Sequence, residues 1–110
     1  VIGTHHATAG FREYHCGVNF SFSPAKICAM VGGDPGNLTP LADWASEQWY
    51  KIKIKVNLTS NTFDVWIDGL KCGSDIACRA GQTPYNVIFG NGNVGLQKAY
   101  FYNMKVLKGV

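Results

Sequence analysis

Apolar and polar residues alternate most regularly between positions 48 and 69. In the first half Tyr50, Ile52, Ile54 and Val56 fall on one side, while Trp49, Lys51, Lys53 and Lys55 fall on the other. In the second half Phe63, Val65 and Ile67 alternate with Asp64, Trp66 and Asp68. A period of two places alternate side chains on opposite faces of a strand, so both halves read as half-buried strands. The polar run 57–61 between them reads as a turn, making residues 48–69 a hairpin. Only one register lets the two apolar sets meet: Val56 opposite Phe63, Ile54 opposite Val65, and Ile52 opposite Ile67. A slip of one residue would set apolar side chains against polar ones. The same register puts Lys55 opposite Asp64, Lys53 opposite Trp66, and Lys51 opposite Asp68. Opposite charges facing across strands contribute ~0.2–1 kcal/mol each, and a lysine over Trp66 adds a cation–π attraction of similar size.

The rest of the chain gives weaker patterns. Residues 1–16 read as a loop or a weak first strand. Residues 18–22 alternate as a strand, residues 27–31 form a short apolar strand, and residues 32–36 (Gly-Gly-Asp-Pro-Gly) carry turn chemistry. Residues 38–47 could hold one helical turn, with Thr39 as its cap and Pro40 at its first position. Residues 72–78 read as a cysteine-closed loop and 86–89 as a short strand. After a Gly-rich turn at 90–95, residues 97–107 are apolar on both faces and predict a central final strand. The expected architecture is one all-β antiparallel β-sandwich domain spanning residues 1–110.

The 110 residues are 46% hydrophobic and only 15% charged, which argues against disorder. A net charge of +3, with no concentrated basic patch, argues against a nucleic-acid partner. No run reaches the ~20 apolar residues of a membrane span. Val1 reads as a mature N-terminus from which a leader has been removed. Four cysteines allow three pairings; the local one, Cys16–Cys28 with Cys72–Cys78, is expected because residues 72–78 can close a short loop. A zinc site is the competing reading, although neither pair has the CxxC spacing of zinc knuckles. Sequons stand at Asn19, Asn37 and Asn57. Asn57 is the best acceptor because it sits at the hairpin tip, whereas Pro40 follows the Asn37 sequon and Asn19 lies in a strand. The even cysteine count and the sequons together predict a secreted, extracellular protein.

With these elements in place, the chain resembles a known family. Residues 48–54 (Gln-Trp-Tyr-Lys-Ile-Lys-Ile) and 62–69 (Thr-Phe-Asp-Val-Trp-Ile-Asp-Gly) resemble the central hairpin of concanavalin A-like, laminin-G-like jelly rolls. Residues 88–93 and 99–106 are similar to that family's closing strands, with Tyr102 where an Asp often stands. The resemblance covers roughly residues 17–106 and implies a small or trimmed lectin- or glucanase-like jelly roll. A trimmed sandwich exposes a sheet edge, which predicts self-association as a homodimer.

Glycosidases on this fold, as the family implies, use acidic residues alternating along a concave strand, and one carboxyl must act as an acid. Here the only alternating acids are Asp64 and Asp68, with lysines opposite. A paired Asp stays ionised and is a poor proton donor, so no catalytic residue and no enzyme activity are expected. His5, His6 and His15 read as solvated loop residues, and no metal or cofactor is expected. The aromatics are the stronger lead. Trp49 and Trp66 share the polar face of the hairpin, where a sugar's C–H face could stack. Lys53 and Asp64 beside them, with Asn91 and Asn93 from the turn, would fix its hydroxyls. The expected function is non-catalytic, lectin-like binding of a glycan or cell-surface glycoprotein. The alternative is a secreted interaction or immunomodulatory effector that self-associates and binds a receptor. A degenerate glycoside hydrolase is more remote.

Overall fold

The computed structural model describes residues 1–5, 14–81, 83–84, 86–89 and 100–107. Among the described residues, eight strands run in chain order: β1 (Ile2–His5), β2 (Tyr14–Phe22), β3 (Ala25–Met30), β4 (Leu38–Asp43), β5 (Ile52–Asn57), β6 (Thr62–Ile67), β7 (Leu70–Ala77) and β8 (Asn86–Phe89). They form two antiparallel sheets, one ordered β4-β3-β2-β1-β8 and the other β5-β6-β7. Buried residues from both sheets join in one cluster: Cys16, Val18, Ile27 and Ala29 from the first, and Phe63, Val65, Ile67 and Cys78 from the second or just beyond it. The protein is therefore all-β, with its core between two sheets.

The hairpin takes the register its two faces demand. Ile52 pairs with Ile67, Ile54 with Val65 and Val56 with Phe63, while Lys53 pairs with Trp66 and Lys55 with Asp64. Phe63, Val65 and Ile67 are buried and their alternates are not. At the tip, the Asn57 side-chain oxygen accepts hydrogen bonds from the backbone N–H groups of Thr59 (3.0 Å) and Ser60 (3.2 Å). Asn61 then turns the chain back at φ 55°, a left-handed conformation that Asn tolerates better than most residues. The Lys51–Asp68 pairing is held by backbone: Lys51 N–H donates to the Asp68 carboxylate (2.8 Å) and Asp68 N–H donates to the Lys51 carbonyl (2.9 Å).

Several elements differ from their sequence reading. Residues 38–43 form edge strand β4 against β3 instead of a helical turn. Pro40, which has no N–H to donate, is tolerated on that outermost strand, and the β3–β4 register shifts beside it between Ile27 and Cys28. Residues 1–16, expected as loop or weak strand, supply β1 and the first residues of β2. Gly3 and Gly17 face each other across these strands. A Cβ on Gly17 would fall 2.6 Å from the Met30 terminal methyl, so the bare glycine gives Met30 its place. Residues 72–78 continue into strand β7 and its end, not a closed loop. Of the expected final strand 97–107, the described part, 100–107, joins neither sheet, and Tyr100, Tyr102, Met104, Val106 and Leu107 are exposed.

The cysteine pairing is corrected as well, since all four thiols are free. Cys28 pairs with Asn19, one position out of phase with Val18, which shares Cys16's inward face. Cys16 and Cys28 thus lie on opposite faces of one sheet. Cys72 and Cys78 stand toward opposite ends of a segment that runs along about four residues of β6, on the order of 13 Å at ~3.3 Å per residue. A disulfide needs Cα atoms within ~7 Å.

The three sequon asparagines are placed as follows: Asn37 and Asn57 are exposed, and Asn19 is half-buried in β2. Among the described residues, no helix is long and apolar enough to cross a membrane.

Aromatic contacts close the end where the chain passes from one sheet to the other. Phe20 packs on Trp44 and Tyr50, with ring centroids 6.2 and 6.0 Å away, and Phe22 meets Trp44 edge-on at 5.1 Å. The Trp44 indole N–H donates to the Ser21 carbonyl (2.6 Å), and the Tyr50 hydroxyl accepts the Ala45 N–H (2.7 Å). Trp44 is therefore a structural residue.

Phe63 is the largest wholly buried side chain of the core. Phe63→Ala should cost about 3–5 kcal/mol, read as a lower urea midpoint with the slope unchanged.

Candidate functional site

Two places gather chemistry. The first is the outer face of the β5-β6-β7 sheet, where alternation puts Lys53, Asp64 and Trp66, while Trp49, expected on the same face, precedes the strand. Trp66 is half-buried, with the Lys53 ammonium 4.6 Å and the Lys71 ammonium 5.2 Å from its ring. The expected Lys53–Trp66 contact is therefore present, and Lys71 on β7 joins it. Asp64 sits where β7 bulges: Phe63 pairs with Ile76 and Val65 with Gly73, so Ser74 and Asp75 both stand across from Asp64. The Asp64 carboxylate accepts the Asp75 backbone N–H (2.7 Å) and pairs with Lys71 (3.4 Å). Its ion-pair partner is thus Lys71 and not the Lys55 directly opposite.

The Asp75 N–H, with smaller help from Lys71 and Lys55, holds the Asp64 carboxyl below its usual value. Trp49 lies beyond the end of β5. It is 67% exposed, and its ring contacts Tyr102, itself 80% exposed, at 6.0 Å between centroids. Tyr102 was not expected there, because the sequence pattern assigns it to a central strand. Asn91 and Asn93 lie outside the described residues, as does His6. A depression of about 90 Å³ at the hairpin-tip end is lined by Lys55, Asn57, Thr62, Phe63, Asp64 and Asp75. It is far below the ~300–1,000 Å³ of enclosed ligand pockets.

The second place lies inside the protein, and sequence reasoning did not assemble it. His15 and Cys16 are neighbours in β2, and regular alternation would send them to opposite faces. A bulge prevents this: Thr4 pairs with Cys16 and His5 with Tyr14, leaving His15 without a cross-strand partner. Both side chains are fully buried, and Cys78, just past β7, reaches the same point. One donor atom from each of His15, Cys16 and Cys78 lies within 4.8 Å of the others. Thr4 Oγ1 stands 3.1 Å from His15 Nδ1 and 3.2 Å from Cys16 Sγ.

The proton positions follow from the partners. The Asn61 amide nitrogen donates to the Arg79 carbonyl (3.1 Å), which turns the Asn61 oxygen toward His15 Nε2 at 2.8 Å. That oxygen can only accept, so Nε2 carries hydrogen. In the neutral ring Nδ1 is then bare and faces Thr4. Between the sulfurs, Cys78 donates to Cys16. That hydrogen bond, with a smaller one from Thr4, outweighs burial and pulls the Cys16 thiol down to about 6. The same bond to Cys16, and burial, push the Cys78 thiol up. A thiol, an imidazole and a carboxamide in this order suit nucleophilic catalysis, but wholly buried His15 and Cys16 offer no surface to a substrate.

No family model, curated protein or solved structure matches the chain.

Asp64 yields a pH test. Its folded-state pKa is depressed, so its contribution is full above the unfolded carboxylate value and fades as pH falls through the folded one. Asp64→Asn should therefore lower stability by no more than about 1 kcal/mol at neutral pH, given its solvent exposure. The gap from the parent should close below the ordinary Asp range of about 3.9, as urea titrations at pH 7 and pH 2 would show.

Proposed function

We propose that this protein is a secreted, non-catalytic recognition domain of the concanavalin A-like, jelly-roll type that binds a glycan or cell-surface glycoprotein. The observation that carries this reading is the exposed Trp49–Tyr102 ring pair, with Trp49 three residues before the start of β5. Exposed, contiguous aromatic surface marks interaction sites, and sugar C–H faces stack on such rings. Trp49 and Tyr102 are better placed for stacking than Trp66, whose ring already faces two ammonium groups. Lys53 and Lys71, resting on Trp66, are in turn placed to donate to sugar hydroxyls or to the carboxylate of an acidic sugar. Asp64 favours binding over hydrolysis. Its carboxyl is held ionised, whereas a glycosidase acid must keep its proton. Glycan modification would fall on exposed Asn57 at the hairpin tip.

A glycan array that includes acidic sugars tests the reading. Trp49→Ala should weaken binding about tenfold or more, the scale of a central aromatic contact. An empty array, or a bound sugar indifferent to both Trp49→Ala and Trp66→Ala, would sink it.

The second reading, a self-associating interaction protein, is favoured by the exposed apolar residues of 100–107. It predicts a dimer in light scattering that dissociates on dilution; a monomer at every concentration counts against it.

A further inference from the structure

We propose that His15, Cys16 and Cys78 form a structural zinc site at the junction of the two sheets. This inference stands apart from the glycan reading, because its residues are in the core and share no side chain with the outer face.

Three observations converge on it. The first is the donor set: two thiols and an imidazole, drawn from positions 15, 16 and 78, meet within 4.8 Å with all three residues buried. Soft sulfur with nitrogen is the ligand chemistry zinc selects. Tetrahedral zinc, with Zn–S ~2.3 Å and Zn–N ~2.0–2.1 Å, sets ligand-to-ligand edges of roughly 3.3–3.8 Å, so these side chains need only small shifts to bind it. Thr4 Oγ1, 3.1 Å from His15 Nδ1 and 3.2 Å from Cys16 Sγ, is an oxygen that stands beside two of the three donors.

The second is the histidine's orientation. Zinc-binding histidines usually donate their remote N–H to a fixed acceptor, which sets the ring and bares the other nitrogen. Here Asn61 accepts from Nε2 and is itself locked by donating to the Arg79 carbonyl. The bare Nδ1 is therefore held beside Thr4 Oγ1, the same oxygen that touches Cys16 Sγ.

The third is the backbone. The β2 bulge that turns His15 inward is braced by Arg79, whose Nε donates to the Tyr14 carbonyl (2.9 Å) and whose Nη2 donates to the Gly33 carbonyl (3.0 Å). The Arg79 N–H also donates to the His15 carbonyl (2.8 Å). The same contacts that join the two sheets thus hold the ligand-bearing segments in place around the site.

Binding is a ligand exchange without redox change. Zn²⁺ sheds coordinated water, two Zn–S bonds and one Zn–N bond form, and the two S–H protons leave to solvent. Because the ligands are buried, the ion enters as the sheets close.

The test begins with the full chain purified without chelators. Mass spectrometry of its metals should find one zinc per chain. Cys72→Ser, a thiol outside the cluster, should keep it. Asn61→Gly suits the left-handed backbone at that position and spares all three ligands, yet should weaken zinc affinity about 10–100-fold by freeing the imidazole. Cys16→Ser and Cys78→Ser should lose the metal. Should those variants fail to fold, the parent decides: refolded under reducing conditions with Co²⁺, it should show tetrahedral d–d bands and thiolate-to-cobalt charge transfer. No zinc in the purified chain together with no cobalt spectrum after refolding overturns the proposal. So does a non-reducing peptide map that finds Cys16 and Cys78 joined as a disulfide.

Discussion

The structure turns on one residue at the meeting of its two sheets. Arg79 follows the last strand of the smaller sheet, yet its hydrogen bonds run to the larger one: its N–H to the His15 carbonyl, and its guanidinium to the carbonyls of Tyr14 and Gly33. Those carbonyls belong to a bulge and to the tight turn at Val31–Gly33, where regular ladder bonding is interrupted. A buried carbonyl left without a donor costs ~1–3 kcal/mol. By serving these groups, Arg79 makes the bulge tenable and fixes how the sheets meet. Cys78 N–H, donating to the Asn61 carbonyl, ties the same segment to the hairpin turn.

Everything polar in the interior follows from that seam. With the bulge in place, His15 and Cys16 point the same way. With the hairpin turn in place, Asn61 meets His15 and sets its tautomer. The result is a polar cluster inside an otherwise apolar core. The outer face is organised differently, by exposed charges of modest strength. Asp64 answers to a backbone N–H and to Lys71 before Lys55, because the β7 bulge brings Asp75 and Lys71 within its reach. The face is therefore a surface of paired charges and ring-stacked ammonium groups.

The sequence by itself determined the hairpin. Its two faces independently chose one register, because a period-two pattern with one buried side tolerates no slip, and the paired strands obey it residue by residue. It also determined the all-β class, the turn at 32–36 and the Lys53–Trp66 contact, all of which depend on neighbours in sequence or directly across a hairpin. Only the tertiary structure decided the rest. Residues 38–43 became a strand because β3 offered an edge, which outweighed a local capping signal. Cys72 and Cys78 were separated because β6 recruited their segment as a third strand. Tyr102 was brought to Trp49 by chain packing that alternation cannot encode. The His15–Cys16–Cys78 cluster was least legible of all. Its members are 63 positions apart at the widest, and the adjacent pair shares a face only through a bulge. That bulge is stabilised by an arginine from the other sheet, and no local pattern carries a contact of that range.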